Sequence, residues 1–273
     1  MVVLNIQDSD LVRKDNEESI LNKINLKVNS GDIVLLSGIN GAGKSSLLKS
    51  LLAYSVCEEL EYANFKNGTL KLCGAEFSDN VSQQIIYIDQ KDEPGKEYRY
   101  SEKVIMDGIP ESIKKKKKFL ADWLEKYNVL TDDDISGVFN STVKKKDKPL
   151  LKKRFSTLSG GQRKWICILQ GLIKTELPDY KIALIDEPLN NLDAKHIKLF
   201  NNLLLSILSN NPNFCFLIVS HCHAFTKISR LYEIEKNTIV EKNYQTHNCF
   251  GPYNDEGFYE NLNYVNDNKD ENK

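Results

Sequence analysis

The chain has 273 residues, 41% of them hydrophobic and 27% charged, which is typical of a folded globular protein. A formal net charge of −1 gives no overall field that would attract a nucleic acid, and none is expected as a partner. Six cysteines without a Cys-x-x-Cys pair indicate reduced thiols in a cytoplasmic protein. We expect neither a signal peptide nor a membrane span, because the start lacks a basic region and the longest apolar run, 214–219, is short.

The first third of the chain contains patterns for strands and one helix. Val2–Ile6 and Ile20–Val28 alternate apolar and polar residues and are predicted to be strands. The apolar run Ile33–Ser37 predicts a buried strand, and after a glycine-rich turn a helix is expected from Lys44 to about residue 53. Ile85–Ile88 predicts another short strand.

The rest of the chain also alternates strands with helices. Between about Ser101 and Leu151, lysine runs and helical patterns predict a mainly helical insert. We therefore predict an α/β fold with a mainly parallel sheet and an antiparallel β piece at the N-terminus. The elements predicted after the insert are the helix Gly160–Lys174, the strand Ile182–Ile185, the helix Ala194–Ser209, the strand Phe214–Val219 and a hairpin of Leu231–Ile234 with Ile239–Val240.

A complete phosphate-binding motif follows the strand Ile33–Ser37. Gly38-Ile39-Asn40-Gly41-Ala42-Gly43-Lys44-Ser45-Ser46 fits G-x-x-x-x-G-K-[ST], in which glycines let several backbone N–H groups face one anion. The helix that follows directs its positive dipole end at the same point. Lys44 is expected to reach the β- and γ-phosphates and the Ser45 hydroxyl to bind Mg²⁺. The predicted nucleotide ligands in this P-loop are Gly38, Asn40, Gly41, Gly43, Lys44, Ser45 and Ser46.

Two carboxylates end the predicted strand Ile182–Ile185. The carboxyl ends of parallel strands face the ligand crevice of an α/β sheet. Asp186 is therefore expected to bind Mg²⁺, and Glu187 to act as the base that polarises the attacking water. Taken alone, Asp-Glu after a strand is a weak motif, and a surface turn is the alternative.

Leu158-Ser159-Gly160-Gly161-Gln162 begins an amphipathic helix. Ser159 is a natural N-cap, and the glycines expose backbone N–H groups, so this is a second helix end suited to an anion. Because the γ-phosphate of one ATP is already bound by the P-loop, Ser159, Gly160, Gly161 and Gln162 are expected to serve the ATP of a second subunit.

These motifs together resemble the ATP-binding cassette (ABC) ATPases. Gly38–Ser46 is similar to their Walker A motif, Leu158–Gln162 to the LSGGQ signature, and Asp186–Glu187 to Walker B with its catalytic glutamate. Three further family positions match: Gln90 resembles the Q-loop glutamine, Asn191-Leu192-Asp193 the D-loop, and His221 the switch histidine. The resemblance covers roughly residues 2 to 242, with the motifs in the family's order.

The resemblance implies an ATPase of ABC type with ATP and Mg²⁺ as cofactors. Its domain would span 1–245, with a helical subdomain at about 91–173, before a partly disordered extension, 246–273. Two subunits, identical or related, would face head to tail, so that ATP closes the dimer and hydrolysis releases it. In this arrangement Glu187, His221, Lys44 and Gln90 are catalytic, Ser45, Gln90 and Asp186 bind the metal, and Asp193 and the signature contact nucleotide.

The commonest role in this family implies that the motor powers transport through a separate transmembrane permease, at the cytoplasmic face of the membrane. A soluble, non-transport cassette, such as a cofactor-assembly ATPase, is the alternative. A DNA-repair ATPase is disfavoured because the stretch between Gln90 and Ser159 is too short for a long coiled coil. A binding module without activity is disfavoured because Glu187 and His221 are both present.

Three weaker features leave alternatives open. The stretch Leu11–Lys14 lacks the aromatic that usually stacks on adenine, so Leu11, Val12, Arg13 or Tyr54 could lie on the purine. His221-Cys222-His223 could suggest a metal site, but no fourth ligand is nearby, and the switch histidine is favoured. The basic segment 144–154 is either a solvated loop or a partner contact.

Overall fold

The computed structural model describes residues 1–52, 63–78, 83–90, 96–131, 134, 139–140, 145–146 and 148–244. The expected extension 246–273 and Tyr54 lie outside the described residues. The strands are β1 (Val2–Arg13), β2 (Ser19–Asn29), β3 (Ile33–Gly38), β4 (Ala63–Lys66), β5 (Thr69–Leu72), β6 (Ala75–Glu76), β7 (Ile85–Ile88), β8 (Phe139–Asn140), β9 (Lys145–Lys146), β10 (Ile182–Asp186), β11 (Cys215–Val219), β12 (Arg230–Glu235) and β13 (Thr238–Lys242). The α-helices are α1 (Lys44–Leu52), α2 (Ser101–Met106), α3 (Lys116–Tyr127), α4 (Gly160–Leu172) and α5 (Ala194–Asn210).

A six-stranded sheet forms the centre, in the order β13-β12-β3-β11-β10-β7. All its pairs are parallel except β12 with β13, which form the predicted closing hairpin. Every residue of β10 and β11 is buried, because helices and a second sheet cover both faces. Continuous apolar runs such as Ile182–Ile185 are the sequence form of such strands, and the predicted α/β fold with its parallel sheet is confirmed.

A second, antiparallel sheet is built around β1, which pairs with β2, β4 and β5. β1 extends well beyond the predicted Val2–Ile6. Its apolar alternation is interrupted at Asp8, whose backbone is left-handed at φ 49°, and the register with β2 shifts between Ile6 and Ser9. This bulge moves the second half of the strand out of phase with the first.

β4 and β5 have no counterpart among the predicted elements. They run along β1 one after the other, and Asn67-Gly68 forms the break between them, opposite the bulge at Asp8. A Cβ on residue 68 would lie 2.1 Å from the carbonyl oxygen of Gln7, so only glycine allows the two backbones to approach this closely.

The predicted insert is helical where α2 and α3 lie, with short 3₁₀ turns at Leu150–Lys152 and Phe155–Thr157. A two-stranded β8–β9 pair interrupts it, which the composition did not predict. Trp165 of α4 is fully buried at its centre, and its indole Nε1 donates to the carbonyl oxygen of Val129 at 3.1 Å. The signature helix is thereby fixed to the segment that follows α3.

Four of the parallel strands, β3, β11, β10 and β7, end at the same edge of the sheet. Leu36 of β3 and Asp186 of β10 both pair with Val219 of β11, and Ile88 of β7 pairs with Ile185. The residues that follow these strands are therefore neighbours in space, although they come from four parts of the sequence. Within the described residues, no helix is long and apolar enough to cross a membrane.

Candidate nucleotide-binding site

The P-loop joins β3 to α1 as predicted. Gly38, Gly41 and Gly43 all have positive φ, which turns successive backbone N–H groups to one side. A Cβ on Gly43 would lie 2.7 Å from Cγ2 of Ile20, because β2 packs directly against the loop. The loop is thus held between β2 and the central sheet in a shape suited to phosphate.

Lys44 is almost completely buried at the start of α1. Its ammonium donates to the carbonyl oxygens of Gly38 at 2.7 Å and Ile39 at 2.9 Å. An ammonium has three hydrogens, so a donor is left for an anion inside the loop. Burial lowers the Lys44 pKa, while the charges of Glu187 and Asp186 act in the opposite direction.

Asp186 lies beside the P-loop at the end of β10 and is 1% exposed. Burial raises its pKa, and a hydrogen bond from the Ser45 side chain opposes that shift. Its Oδ1 is buried without a hydrogen-bond partner in the described structure. A buried carboxylate oxygen of this kind, next to a serine hydroxyl, is a donor set that Mg²⁺ prefers.

Glu187 and His221 face each other across the ends of β10 and β11. Glu187 Oε1 lies 3.3 Å from His221 Nε2, and its Oε2 accepts a bond from the backbone N–H of His221 at 3.4 Å. The Glu187 backbone is left-handed, at φ 46°, and its N–H donates to the Val219 carbonyl oxygen at 2.9 Å. This unusual conformation places the carboxylate between the two strand ends. Burial raises the Glu187 pKa, against the lowering effect of His221.

Gln90 follows β7 at the same edge, as expected, and is exposed. Its backbone is held by Lys164 of α4, a residue that the sequence analysis did not single out. The Lys164 ammonium donates to the carbonyl oxygens of Asp89 at 2.9 Å, Gln90 at 3.2 Å and Asp186 at 3.4 Å. A lysine within the buried face of an amphipathic helix was the available signal, since a charge there needs partners.

The signature residues form a separate site. Ser159 caps α4 through a capping box: its hydroxyl accepts from the N–H of Gln162, whose side chain accepts from the N–H of Ser159, each at 3.2 Å. A hollow of about 520 Å³ lies in front of this helix end. Its lining residues are Thr131, Asp134, Ser159, Gly160, Gly161, Gln162, Asn191, Asp193, Lys195 and His196.

The P-loop and the signature are therefore not brought together within one chain. None of residues 38–46, all of which the structure describes, lines the hollow at the signature. The D-loop lines it instead. A Cβ on Gly161 would lie 2.3 Å from the carbonyl oxygen of Asn191, so the D-loop backbone rests directly on the first turn of α4.

The candidates for adenine contact are reduced by the fold. Leu11 and Val12 are buried in the antiparallel sheet at 0% and 8% exposure, so neither lies on a purine, contrary to what the sequence allowed. Arg13 is exposed at the turn between β1 and β2, with its Nε 3.8 Å from Glu18. Of the three, Arg13 is the residue with an exposed side chain.

The structure does not assign a function to the His221-Cys222-His223 stretch or to the basic segment 144–154. Within the described ranges, no group of three or more His, Cys, Asp or Glu residues could hold a metal. The side chains of Lys144–Lys146 lie outside the described residues. In the rest of the basic segment, Lys152 pairs with Glu102 at 3.2 Å, and the backbone carbonyl of Lys153 accepts from Ser101.

Comparison with known proteins agrees with this geometry. The model of the ABC transporter family matches residues 21–190, more than half of the chain, from β2 to just past Walker B. The chain belongs to the ABC transporter family. Family membership identifies ATP binding and hydrolysis as its activity.

Relatives of this ABC ATPase are found among ATP-binding proteins. An uncharacterized ABC transporter ATP-binding protein of Methanocaldococcus jannaschii is 28% identical over 203 residues, which cover 74% of this chain and 62% of the relative. The lipoprotein-releasing system ATP-binding protein LolD of Buchnera aphidicola subsp. Schizaphis graminum is 28% identical over 215 residues, covering 79% and 85%. An ATP-binding cassette of an ABC transporter superposes with a TM-score of 0.65 at 19% identity, covering 89% of this chain and 92% of that one. The superposition confirms the fold.

The contact between Gly161 and the D-loop is tested by a matched pair of substitutions. In Gly161→Ala the new methyl group meets the Asn191 carbonyl, and we expect a loss of about 1–3 kcal/mol in the free energy of unfolding from overpacking. Gly160→Ala is the control, because a Cβ there meets nothing within 4 Å. Chemical denaturation of both variants measures the difference, and equal stabilities would contradict the contact.

Proposed function

We propose that this ABC ATPase powers transport through a separate transmembrane permease, working as a nucleotide-sandwiched dimer at the cytoplasmic face of the membrane. The observation that carries the proposal is the division of one ATP site into two halves. The P-loop, Asp186, Glu187 and His221 lie at one edge of the sheet, while the capped signature helix faces a different hollow. A second chain, turned head to tail, would bring the two halves together.

The residues at the carboxyl ends of the parallel strands are suited to bind Mg²⁺. The partnerless Oδ1 of Asp186 and the Ser45 hydroxyl are oxygen ligands that suit Mg²⁺, and Gln90 follows the neighbouring strand. We assign Ser45, Asp186 and Gln90 to the metal. When bound, Mg²⁺ would neutralise charge on the β- and γ-phosphate oxygens.

In the proposed reaction a water attacks the γ-phosphorus, the bond to the β-γ bridging oxygen breaks, and ADP and phosphate form. Glu187 orients this water and accepts its proton, and burial makes the carboxylate a stronger base than a solvated one. Lys44 and His221 offset charge on the transferred group. The backbone N–H groups of Gly38–Ser46 hold the phosphates still during the step.

The partner's half of the site would come from its signature. Ser159, Gly160, Gly161 and Gln162 form a helix N-terminus, whose positive dipole end suits the γ-phosphate of a bound ATP. Asp193 of the D-loop lines the same hollow and would lie at the dimer interface. ATP then joins two subunits, and its hydrolysis removes the group that joins them.

Transport is the role that the relatives support. LolD is named as the ATP-binding protein of a lipoprotein-releasing system, and the described part of this chain has no helix that could span a membrane itself. A permease on another chain would therefore provide the passage. Co-purification of the chain with a multi-span membrane protein from its own cells tests this, and the absence of any such partner would favour a non-transport ATPase.

Glu187→Gln removes the proposed base while keeping its shape. We expect ATP to bind normally and turnover to fall about 10²–10⁴-fold, the usual loss for a general base. The ATP-bound dimer should persist and be visible by light scattering. Turnover close to that of the wild type would exclude Glu187 from this role.

Ser159→Arg and Lys44→Ala separate the two halves of the site. Ser159→Arg fills the signature hollow, so we expect ATP binding to a single chain to remain while dimerisation and turnover are lost. Lys44→Ala removes a phosphate ligand of the same chain and should weaken nucleotide binding itself. Titration of both variants with ATP decides, and equal loss of binding would contradict a site shared between chains.

Low selectivity for the base is expected, because residues 11–14 contain no aromatic side chain. Stacking of a base on an aromatic is worth about 1–3 kcal/mol, so we expect weak binding and a modest preference for ATP over GTP. Titration of both nucleotides in the Glu187→Gln background measures this. A preference beyond about a hundredfold, equivalent to about 2.7 kcal/mol, would mean that another group reads the adenine.

A further inference from the structure

His196 forms a bridge between the D-loop and the helical insert. Its Nδ1 lies 2.9 Å from Asp193 Oδ1, and its Nε2 lies 3.3 Å from Asp134 Oδ2. Asp193 caps α5 and also accepts from the backbone N–H of His196 at 2.9 Å. We call this group, Asp193–His196–Asp134, the histidine bridge.

The two carboxylate contacts favour the doubly protonated form of the imidazole. Carboxylates only accept hydrogen bonds when ionised, so both ring nitrogens must donate, which only an imidazolium can do. The side chains of His196 and Asp134 are 8% and 3% exposed, so water competes little for the bond between them, whereas Asp193 is 65% exposed. The rings of Trp165 and His196 form a T-shaped contact at a centroid distance of 5.5 Å. Among the described residues, Asp193 and Asp134 are the charged groups that act on the imidazole, and Lys195 lines the same hollow.

Asp134 is itself held in place from the insert. Its Oδ2 accepts from the Thr131 N–H at 2.9 Å, and its own N–H donates to the Thr131 hydroxyl at 3.1 Å. This reciprocal pattern is that of a capping box. The imidazole therefore joins two capped turns, one in the core and one in the insert, directly beside the signature.

We propose that His196 is a positioning residue for ATP hydrolysis, which as an imidazolium ties the D-loop aspartate Asp193 to Asp134 and so sets the D-loop against the signature. The proposal rests on the dimer proposed above, in which Asp193 and the signature meet the partner's ATP. A composite site works only when its two halves are in register, and small displacements of a positioning group can cost up to about a hundredfold in rate.

The bridge should respond to pH in one direction. Burial lowers the His196 pKa, but the bond to Asp134 and the charge of Asp193 raise it more, so the pKa lies above its ordinary value of 6.5. The bond to His196 similarly outweighs burial at Asp134, whose pKa is lowered. The bridge is therefore complete between the lowered pKa of Asp134 and the raised pKa of His196, and it is lost as the pH rises through the pKa of His196.

The first test is the rate of ATP hydrolysis by the full chain across about pH 5.5 to pH 9. His196→Gln keeps the size of the side chain but cannot be a cation. We expect its kcat to be lower by about tenfold near neutral pH, with an unchanged KM for ATP. The ratio of wild-type to variant kcat should fall towards one as the pH rises. Lys198→Gln, which removes an exposed cation of the same helix, is the control and should match the wild type.

A ratio that stays constant with pH, or a kcat equal to the wild type, would overturn the proposal. Imidazole NMR gives a second measurement that does not depend on turnover, and with four histidines in the chain His196 is assigned by its substitution. We expect its pKa to lie above that of a free histidine and to fall in Asp134→Asn. A His196 pKa at or below the free value would also overturn the proposal. If Glu187→Gln retained full turnover, the proposed catalytic role would fail, while the pKa of His196 would still decide whether the bridge exists.

Discussion

The site is organised around two neighbouring carboxylates that are both buried in the folded chain. Asp186 is the last residue of the fully buried strand β10 and Glu187 follows it, at 1% and 4% exposure, and Oδ1 of Asp186 has no hydrogen-bond partner in the described structure. Buried anions are costly unless opposite charges and donors surround them. The surrounding groups of one chain, above all Lys44, Ser45 and His221, offset this only in part. In the proposed function, Mg²⁺ and a nucleotide would complete this balance, so the buried charges would favour ligand binding.

The parallel sheet makes this arrangement possible. In a parallel sheet all strands end at the same edge, so the P-loop, the two carboxylates, Gln90 and His221 converge without any of them being near in sequence. The strained backbone of Glu187 is held from its neighbour strand through the Val219 carbonyl. The antiparallel sheet contributes differently, because Ile20 of β2 closes the P-loop from outside.

Much of this could be predicted from sequence, and the failures have physical causes. Buried strands such as Ile85–Ile88 and Ile182–Asp186 are marked by apolar runs, and the motif residues follow them directly. The bulge at Asp8 was missed because it shifts the alternation of β1. β4 and β5 were missed because they alternate apolar and polar residues over only four positions, without the continuous apolar run of Ile85–Ile88. Lys164 and His196 were missed for another reason: the partners of Lys164, and Asp134 as a partner of His196, are more than 20 residues away, which no local pattern records.

Lys164 has a consequence for how two sites can communicate. The Lys164 ammonium on α4 donates hydrogen bonds to the backbone carbonyl oxygens of Asp89, Gln90 and Asp186. These residues lie at the edge of the sheet where the chain's own P-loop is found. In the proposed dimer, the N-terminus of that helix, about one turn before Lys164, faces the partner's ATP. A rotation of α4 that weakens its contact with the partner's nucleotide would therefore strain the three hydrogen bonds of Lys164 beside the chain's own nucleotide. The length of a single side chain would then set how far the two sites can move independently.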